Sequence, residues 1–428
     1  MIMKIRFINA RILTMKDNEA IFVGELHVED NRITYVGPKT HSDKDFDRVI
    51  NCGQNLLMPG FKNAHTHSPM TFLRSYADDL PLQEWLEKAI FPLEDKLQPG
   101  DQYHLAKVAF AEYLTSGITT CFDMYYSPLE TVKAAIDTGF RAVLVGTVTK
   151  FKESVEEMKA AYKTINQMHR LVRYELGFHA EYTANEEILK ELAKASEELN
   201  APIWSHIAET EREVDECIER HGMTPAAYIE SLGLYRHGGG GFHGVHFREE
   251  DFDVYKRNGL NIVTNPSANT KLASGIAPVK RYLDEKINIA IGTDGPASNN
   301  ALDFFREMFL VTGLAKLREQ DASVVDAMAV LKMATVNGAH ALGLVEADIL
   351  AEGKLADIIM IDLAQPNMQP INNIEKNIVY SGSKSNVYLT MIDGKILYEN
   401  GEFFLDESID TIYENAQMIT NRIKGKKE

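Results

Sequence analysis

Residues 59–67 read Pro-Gly-Phe-Lys-Asn-Ala-His-Thr-His and follow an apolar run at residues 56–58. In a β-strand, residues two positions apart point to the same face, so His65 and His67 are expected to project together. Two neutral imidazoles on one face can share a divalent metal ion such as zinc or iron. Because a short His-x-His pair often occurs by chance, the prediction depends on partners elsewhere in the chain.

Three later segments are strand-like and end in side chains that bind metal ions or transfer protons. These segments are 203–209, with His206 and Glu209, 241–246, with His243, and 287–295, which ends near Asp294. Three imidazoles and one carboxylate form a plausible metal site that leaves room for a water molecule. The predicted metal ligands are His65, His67, His206 and Asp294. Glu209 and His243 remain beside them as titratable groups.

Short apolar segments alternate with amphipathic segments through the middle of the chain. The candidate strands are 56–66, 118–124, 141–148, 174–180, 202–208, 241–247, 260–265 and 287–293. The helix-like segments between them include 100–116, 128–138, 153–170, 186–200 and 249–258. This alternation predicts an α/β fold, a (β/α)₈ TIM barrel, whose active site lies at the C-terminal ends of the strands. The predicted ligands all occupy such ends.

Both ends of the chain have a different pattern. Residues 5–14 and 20–36 alternate apolar and polar side chains, which is typical of strands with one buried face. Near the other end, Asp393-Gly394 separates two apolar runs and predicts a hairpin. We therefore expect residues 1–58 and 355–428 to form one small β-sandwich domain, and residues 59–354 to form the catalytic barrel.

Composition limits the class of protein. The formal net charge of −17 over 428 residues argues against nonspecific binding to nucleic acid and to anionic membranes. The three cysteines are widely spaced, which suits a reducing compartment. No apolar run approaches the roughly 18 residues of a membrane span, and the first residues lack the apolar core of a signal peptide. The sequence predicts a cytoplasmic protein with no membrane and no nucleic-acid partner.

Taken in order, these residues resemble the amidohydrolase superfamily, in particular its branch of nucleobase and nucleoside deaminases and chlorohydrolases. The resemblance covers essentially the whole chain. The residues that carry it are Pro59-Gly60-Phe61, His65, His67, His206, Glu209, His243, the Gly-Thr-Asp-Gly at 292–295 and the Gly-Lys-Leu-Ala-Asp at 353–357. Residues 92–95 and 297–300 are most similar to the 5-methylthioadenosine/S-adenosylhomocysteine deaminase group.

The resemblance implies hydrolytic deamination of an adenine nucleoside to the inosine analogue and ammonia by a metal-activated hydroxide. It implies one divalent metal ion, with Zn²⁺ as the first expectation and Fe²⁺ or Mn²⁺ as alternatives. In that chemistry Asp294 takes a proton from water and Glu209 protonates a ring nitrogen. His243 orients the attacking oxygen. A homo-oligomer is expected from the resemblance alone.

The resemblance also implies contacts to a small heterocyclic substrate. Glu94 matches a carboxylate that holds ribose hydroxyls, and His179 matches a histidine that contacts the purine. Some relatives carry arginines after the third strand that hold the amino-acid carboxylate of S-adenosylhomocysteine, but residues 145–150 contain none. Lys150 or Lys152 could replace them only without the fork geometry of arginine. This departure leaves adenosine, 5′-deoxyadenosine and 5-methylthioadenosine as further candidates.

Other interpretations remain open at this point. The substrate could be another aminated or chlorinated N-heterocycle of the guanine, pterin or triazine type, and the same fold could serve as a non-catalytic scaffold. Glu209 could be a helix N-terminal carboxylate, and Asp294 a turn residue. Glu94 could be solvated and His179 a core residue. His246 competes with His243, and we expect it to be structural.

Overall fold

A computed structural model describes residues 3–40, 45–80 and 84–425. Two sheets organise this part of the chain. One is an eight-stranded parallel barrel, and the other is a nine-stranded sheet to which both ends of the chain contribute. This architecture confirms the predicted fold class, a (β/α)₈ barrel with a small β-sandwich domain built from both termini.

The strands in the described residues are β1 Lys4–Ile12, β2 Phe22–Glu29, β3 Arg32–Gly37, β4 Arg48–Asn51, β5 Leu56–Pro59, β6 Phe61–Thr66, β7 Ile118–Met124, β8 Arg141–Val145, β9 Val172–Gly177, β10 Ile203–Ile207, β11 Gly239–His243, β12 Asn261–Thr264, β13 Asn288–Ile291, β14 Ile358–Ile361, β15 Val387–Ile392, β16 Lys395–Glu399 and β17 Glu402–Phe403. Strands β6 to β13 form the barrel in sequence order. Each of the eight predicted strand segments overlaps one of them.

The α-helices of the described residues are Phe91–Glu94, Asp101–Thr115, Pro128–Thr138, Val155–Ile165, Glu186–Leu199, Glu211–His221, Pro225–Ser231, Glu249–Asn258, Pro266–Lys271, Val279–Asp284, Phe304–Glu319, Ala327–Lys332, Gly338–Ala341, Ile374–Tyr380 and Ile409–Lys424. Trp85–Ile90 and Met333–Asn337 are π-helical. At least one α-helix lies between each pair of successive barrel strands, so every parallel connection is a crossover of the kind that a barrel requires.

The barrel closes between β6 and the end of β13 through side-chain bonds as well as backbone bonds. The Nδ2 atom of Asn63 donates to Oγ1 of Thr293 at 2.8 Å, and the amide of Thr293 donates back to Oδ1 of Asn63 at 2.8 Å. The amide of Asp294 donates to the carbonyl of His65 at 3.0 Å. These bonds hold the first and last strands together, and they place Asp294 beside the first histidine pair.

The predicted strand 56–66 is wrong as one continuous element, because the chain changes sheets at Gly60. Strand β5 pairs with β14 and β1 in the terminal sheet, whereas β6 pairs with β7 in the barrel. At the crossing, a Cβ on Gly60 would lie 2.1 Å from Cγ2 of Thr119. Only glycine fits this close approach of two strands, and an unbroken apolar run gives no sign of the break.

The nine-stranded sheet has the order β17, β16, β15, β14, β5, β1, β2, β3, with β4 paired to β1. The predicted hairpin is confirmed, since β15 and β16 are antiparallel around Asp393-Gly394. Apolar side chains from both ends of the chain, including Phe7, Leu26 and Met391, form a separate core in this sheet. The domain boundaries after residues 58 and 354 stay a prediction.

The last helix, Ile409–Lys424, returns to the barrel. The side chain of Ile423 belongs to an apolar cluster that also contains Trp85, Ile90 and Leu93. The carbonyl of Ile423 accepts a hydrogen bond from Lys96 at 3.3 Å. This helix therefore supports the segment that covers the mouth of the barrel.

Within the described ranges, no helix combines the length and the apolar character needed to cross a bilayer. The three cysteines are all buried and free, as the sequence predicts for a chain without a disulfide framework.

Candidate active site

The predicted metal ligands and their neighbours meet at the C-terminal end of the barrel. His65 lies on β6 and His67 directly after it, His206 lies on β10, and His243 ends β11. One ligand atom each from His65, His206, His243 and Asp294 lies within 4.8 Å of all the others. The Nε2 atom of His67 is 3.2 Å from Oδ1 of Asp294. The structure thus brings four predicted ligands and His243 into one buried cluster.

Left-handed backbone aims three side chains of the site. Ala208, which precedes Glu209, has φ of 48°, His243 has φ of 76°, and Asp294 has φ of 60°. Non-glycine residues adopt this conformation at an energetic cost, so surrounding contacts must hold it. All three residues lie at or shortly after the end of a barrel strand, where the chain leaves the sheet.

Hydrogen bonds fix the orientation of three imidazoles. The Nδ1–H of His67 donates to the carbonyl of Met124 at 2.5 Å, and that of His206 donates to the carbonyl of His179 at 2.7 Å. The Nδ1–H of His243 donates to Oδ1 of Asn269 at 2.8 Å. Each bond turns Nε2 of the ring toward the cluster, which is how metal-binding histidines are usually held.

The cluster fits a divalent cation. Both ring nitrogens of His65 are buried and have no hydrogen-bond partner among the described residues. Burial lowers the pKa of His65 to about 3 and, together with neighbouring histidines, holds the pKa of His206 well below its ordinary value. Both rings are therefore neutral at neutral pH, as metal ligation requires. A buried polar atom without a partner is costly unless something else satisfies it.

Asp294 supplies the negative charge of the cluster. Burial acts to raise its pKa, but the imidazoles of His65 and His67, whose Nε2 atoms lie 3.5 and 3.2 Å from its Oδ1, hold the pKa well below the ordinary value for an aspartate. Its Oδ2 accepts a hydrogen bond from the hydroxyl of Ser298 at 2.7 Å, and its Oδ1 accepts one from the amide of Gly295 at 2.8 Å. The ionised carboxylate is therefore fixed on both oxygens.

Glu209 faces the cluster from the turn after β10. Its Oε2 lies 3.8 Å from Nε2 of His243, and its Oε1 accepts a hydrogen bond from the hydroxyl of Ser274 at 3.2 Å. Burial raises the pKa of this carboxyl above its ordinary value. A carboxyl group that holds its proton closer to neutral pH can act as a general acid.

The predicted substrate contacts line the same pocket as the cluster. Glu94 and His179 both face it, together with Trp85, Tyr126 and Leu272. The Oη–H of Tyr125 donates to Oε1 of Glu94 at 2.6 Å. Burial lowers the pKa of His179 to about 4, so this imidazole is neutral. The pocket therefore combines an apolar wall with a small number of oriented polar groups, as ligand sites usually do.

Both lysines that follow the third barrel strand contact other side chains of the protein. The Nζ atom of Lys152 is 2.9 Å from Oδ1 of Asp95 and lies 4.7 Å from the ring centre of Tyr126. The ammonium of Lys150 lies over the ring of Phe151 at 5.1 Å. Neither lysine contributes to the pocket that holds the histidines.

Sequence reasoning missed the residues that orient the site. Ser298, Ser274, Asn269 and Tyr125 each hold one predicted site residue. Asp123, whose pKa burial raises to about 6, accepts a hydrogen bond from the amide of Ser68 at 3.0 Å. Ser274, Asn269 and Tyr125 contact side chains on distant segments, so sequence spacing gives no signal for them, and the contact of Ser298 with Asp294 depends on the turn between them. His246, which we expected to be structural, donates from Nε2 to the carbonyl of Ser274 at 2.6 Å.

Comparison with known proteins places this geometry in a family. The model of the Amidohydrolase family matches residues 56–397, which is most of the chain and contains every residue of the cluster.

Two relatives and one solved structure resemble nearly the whole chain. A 5-methylthioadenosine/S-adenosylhomocysteine deaminase of Thermoanaerobacter pseudethanolicus is 38% identical over 97% of this chain and 98% of its own. A 5′-deoxyadenosine deaminase of Methanothermobacter thermautotrophicus is 37% identical over 90% of this chain and 95% of its own. The crystal structure of an adenosine deaminase from Xanthomonas campestris with bound zinc superposes with a TM-score of 0.92 at 28% identity, covering 99% of this chain and 98% of that one.

Proposed function

Because the chain belongs to the amidohydrolase family, we propose that it is a metal-dependent aminohydrolase that removes ammonia from an adenine nucleoside. The observation that carries the proposal is the position of Glu209, whose carboxyl lies beside His243 in the same buried pocket as the histidine–aspartate cluster. Relatives that share 37–38% of the sequence bear the names of adenine nucleoside deaminases.

We propose that one divalent ion is held by His65, His67, His206 and Asp294, with zinc as the first candidate. The donor set of neutral imidazoles and one carboxylate suits zinc, iron and related ions. When bound, such an ion supplies Lewis-acid chemistry that makes water a nucleophile near neutral pH. The similar Xanthomonas adenosine deaminase was crystallised with zinc bound, which supports the choice of metal.

The protein's own groups then move the protons. Asp294, ionised and fixed by Ser298, accepts the proton of the attacking water. Glu209 donates its proton to the ring nitrogen next to the carbon that bears the amino group, and that carbon becomes tetrahedral as its bond to oxygen forms. The amino group then takes the proton from Asp294, the C–N bond breaks and ammonia leaves, while the new hydroxyl gives its remaining proton to Glu209 and becomes the ring carbonyl. His243, oriented by Asn269, hydrogen-bonds the developing oxygen centre.

We propose that Glu94 and His179 fix the nucleoside for this chemistry. Glu94, whose Oε1 accepts a hydrogen bond from Tyr125, would accept hydrogen bonds from the two ribose hydroxyls. The His179 ring lies with its centre 4.7 Å from that of His206, so a base that contacts His179 is also close to the cluster. Correct placement of the reacting carbon accounts for much of the rate enhancement that an enzyme can supply.

We propose that the 5′ substituent is small and uncharged. The pocket wall near Glu94 is built from Trp85, Leu86, Ile90 and Phe91. Lys152 lies outside this wall, where its ammonium pairs with Asp95. Adenosine, 5′-deoxyadenosine and 5-methylthioadenosine match this wall better than S-adenosylhomocysteine does.

The test is ammonia release together with the ultraviolet change of adenine to hypoxanthine. The zinc-loaded protein is offered adenosine, 5′-deoxyadenosine, 5-methylthioadenosine, S-adenosylhomocysteine, guanine and a chlorotriazine. Turnover of at least one adenine nucleoside supports the proposal. If the metal-loaded protein turned over none of the four nucleosides, the proposal would be contradicted. Turnover of guanine or the chlorotriazine would then favour another heterocycle as the substrate.

Three narrower expectations stay predictions. These are the identity of the metal, the cytoplasmic location and a homo-oligomeric state. Metal analysis of protein purified without added zinc, and light scattering of the purified chain, test the first and the last.

A further inference from the structure

We propose that Glu213 is a positioning residue that aims the carboxyl group of Glu209 into the pocket. The inference rests on the proposed function, in which Glu209 is the proton donor. Glu213 is buried on the first turn of the helix Glu211–His221 and lies outside the pocket that holds the histidines. It does not touch the reacting atoms and acts through the backbone of Glu209.

The carboxylate of Glu213 holds the turn after β10. Its Oε1 accepts a hydrogen bond from the amide of Ala208 at 2.8 Å, and its Oε2 accepts one from the amide of Glu209 at 2.9 Å. Because both acceptor oxygens belong to one carboxylate, the amides of Ala208 and Glu209 must both point toward the side chain of Glu213. Burial and the nearby Glu209 carboxyl raise the pKa of Glu213 to about 7, whereas the bonds from the amides favour its ionised form. Hydrogen bonds to an ionised acceptor are about twice as strong as bonds between neutral groups.

The same turn is held from its other side. The carbonyl of Ala208 accepts hydrogen bonds from the amides of Val245 and His246, both at 2.9 Å. Ala208 has the left-handed φ of 48°, a conformation that an alanine keeps only when its surroundings impose it. The hydrogen bonds to the amide and to the carbonyl of Ala208 together fix the direction in which the side chain of Glu209 projects from the backbone.

A glutamate at the third position of a helix often caps the helix start by accepting from nearby amides. Helix capping alone would predict a loss of stability when Glu213 is changed. The carboxylate of Glu213 is stabilised by the amide of the N-cap residue Thr210, as in an ordinary helix cap, but it also accepts from the amides of Ala208 and Glu209, which lie before the cap. The positioning role therefore predicts a loss of turnover that depends on Glu209.

The experiment is a double-mutant cycle with Glu213→Gln, Glu209→Gln and the double variant, all metal-loaded. The glutamine offers one acceptor oxygen where two amides need partners, so the turn relaxes. We expect kcat to fall roughly 10–100-fold in E213Q, since small misplacement of a reacting group has effects of that size. KM and metal content stay close to wild type. In the E209Q background, E213Q leaves the residual rate unchanged, because the group that it positions is gone.

The matched control is Asp251→Asn. Asp251 is a buried carboxylate at the same position of the helix Glu249–Asn258, which follows β11, and it also accepts hydrogen bonds from two backbone amides, those of Arg248 and Ala226, at 2.8 and 3.1 Å. The D251N substitution should lower the unfolding midpoint, whereas kcat per folded molecule should stay unchanged. A kcat loss in D251N as large as in E213Q would overturn the positioning role.

Hydrogen exchange gives a second readout that does not depend on turnover. The amides of Ala208 and Glu209 should exchange faster in E213Q than in wild type, whereas amides of β10 stay protected. Wild-type kcat in E213Q, or an equal loss in the E209Q background, would overturn the inference. If E213Q does not fold, Glu213→Asp retains both oxygens but withdraws them by one methylene, and the same cycle applies.

These outcomes are separate from failure of the proposed function. A wild-type protein that is inert toward every adenine nucleoside would contradict the proposed function before any variant is made. The inference fails when the wild type is active and Glu213 proves independent of Glu209.

Discussion

The Nδ1–H of His206 donates a hydrogen bond to the carbonyl oxygen of His179 at 2.7 Å, and the backbone amide of His206 donates to the same oxygen at 2.9 Å. One carbonyl thus fixes the ring of a proposed metal ligand and the backbone that carries it. Because His179 itself faces the substrate pocket, the proposed metal site and the proposed base-binding site share a single support.

Removing His206 should abolish metal binding. In His206→Ala the cluster loses one neutral donor, and the remaining buried histidines and Asp294 no longer complete four-coordinate ligation. We expect less than stoichiometric zinc by elemental analysis and no measurable turnover. The control is His237→Ala, which removes a histidine that contacts Glu197 and does not line the pocket. Full zinc content in H206A would show that His206 is not a ligand.

Glu209→Gln should separate metal binding from catalysis. The amide keeps the size of the side chain but is too weak an acid to transfer a proton to the ring nitrogen, so kcat should fall about 10²–10⁴-fold, the range of general acid–base catalysis. Metal content should remain at the wild-type value. Glu211→Gln, on an exposed side chain two residues later, provides the control. Near-wild-type turnover of E209Q would remove Glu209 from the mechanism.

Ser298→Ala tests the support of Asp294. Loss of the 2.7 Å bond to Oδ2 frees one carboxylate oxygen, and loss of such outer contacts typically lowers metal affinity by 10–100-fold. Competition with a zinc chelator measures the affinity. Ser323→Ala removes an equally short bond to Asp321 on the surface and should leave zinc affinity unchanged. Equal affinities in both variants would argue that Ser298 does not stabilise the site.

The length and charge of the 5′ substituent should decide the relative rates. We expect kcat/KM for 5-methylthioadenosine to exceed that for S-adenosylhomocysteine, because an apolar wall meets the 5′ group and Lys152 is paired with Asp95. Asp95→Asn releases that lysine, which should raise kcat/KM for S-adenosylhomocysteine selectively. A wild-type enzyme that prefers S-adenosylhomocysteine would contradict the assignment of the wall.

Glu307 should make stability depend on pH. Burial raises the pKa of its carboxyl from 4.5 to about 7, so the folded state keeps a proton that the unfolded state releases within that window. The free energy of unfolding contributed by this group is therefore largest below pH 4.5 and falls as pH rises toward 7. Urea unfolding of wild type and Glu307→Gln at pH 5 and pH 7.5 measures the difference.

The advantage of wild type over E307Q should be greater at pH 5 than at pH 7.5. Glu319→Gln, exposed at the end of the same helix, should show no such change. If wild type and E307Q lost the same free energy between the two pH values, Glu307 would not be the titrating group.

Much of the site could be predicted because the barrel converts sequence position into spatial position. His65, His206 and Asp294 each follow or end a strand, and parallel strands bring such residues to one rim. The barrel strands could also be predicted from the sequence, because apolar runs of strand length recur with helix-like segments between them.

The remaining features depend on contacts between distant segments. The break at Gly60 reflects the close approach of Thr119, which lies far along the chain. Ser274 in a loop and Asn269 in the short helix Pro266–Lys271 hold Glu209 and His243, and neither segment has a sequence pattern that announces the contact. The covering segment Trp85–Ile90 is π-helical, a geometry for which sequence periodicity gives no signal.

Reaction of the zinc-loaded wild-type protein with 5-methylthioadenosine in water enriched in ¹⁸O tests hydrolytic deamination most directly. Mass spectrometry of the purine product and assay of ammonia are made on the same sample. We predict one ammonia per product molecule and a single ¹⁸O atom on the purine ring carbon that carried the amino group. Ammonia without ¹⁸O in the base, or cleavage of the nucleoside with the amino group retained, would contradict the proposed chemistry.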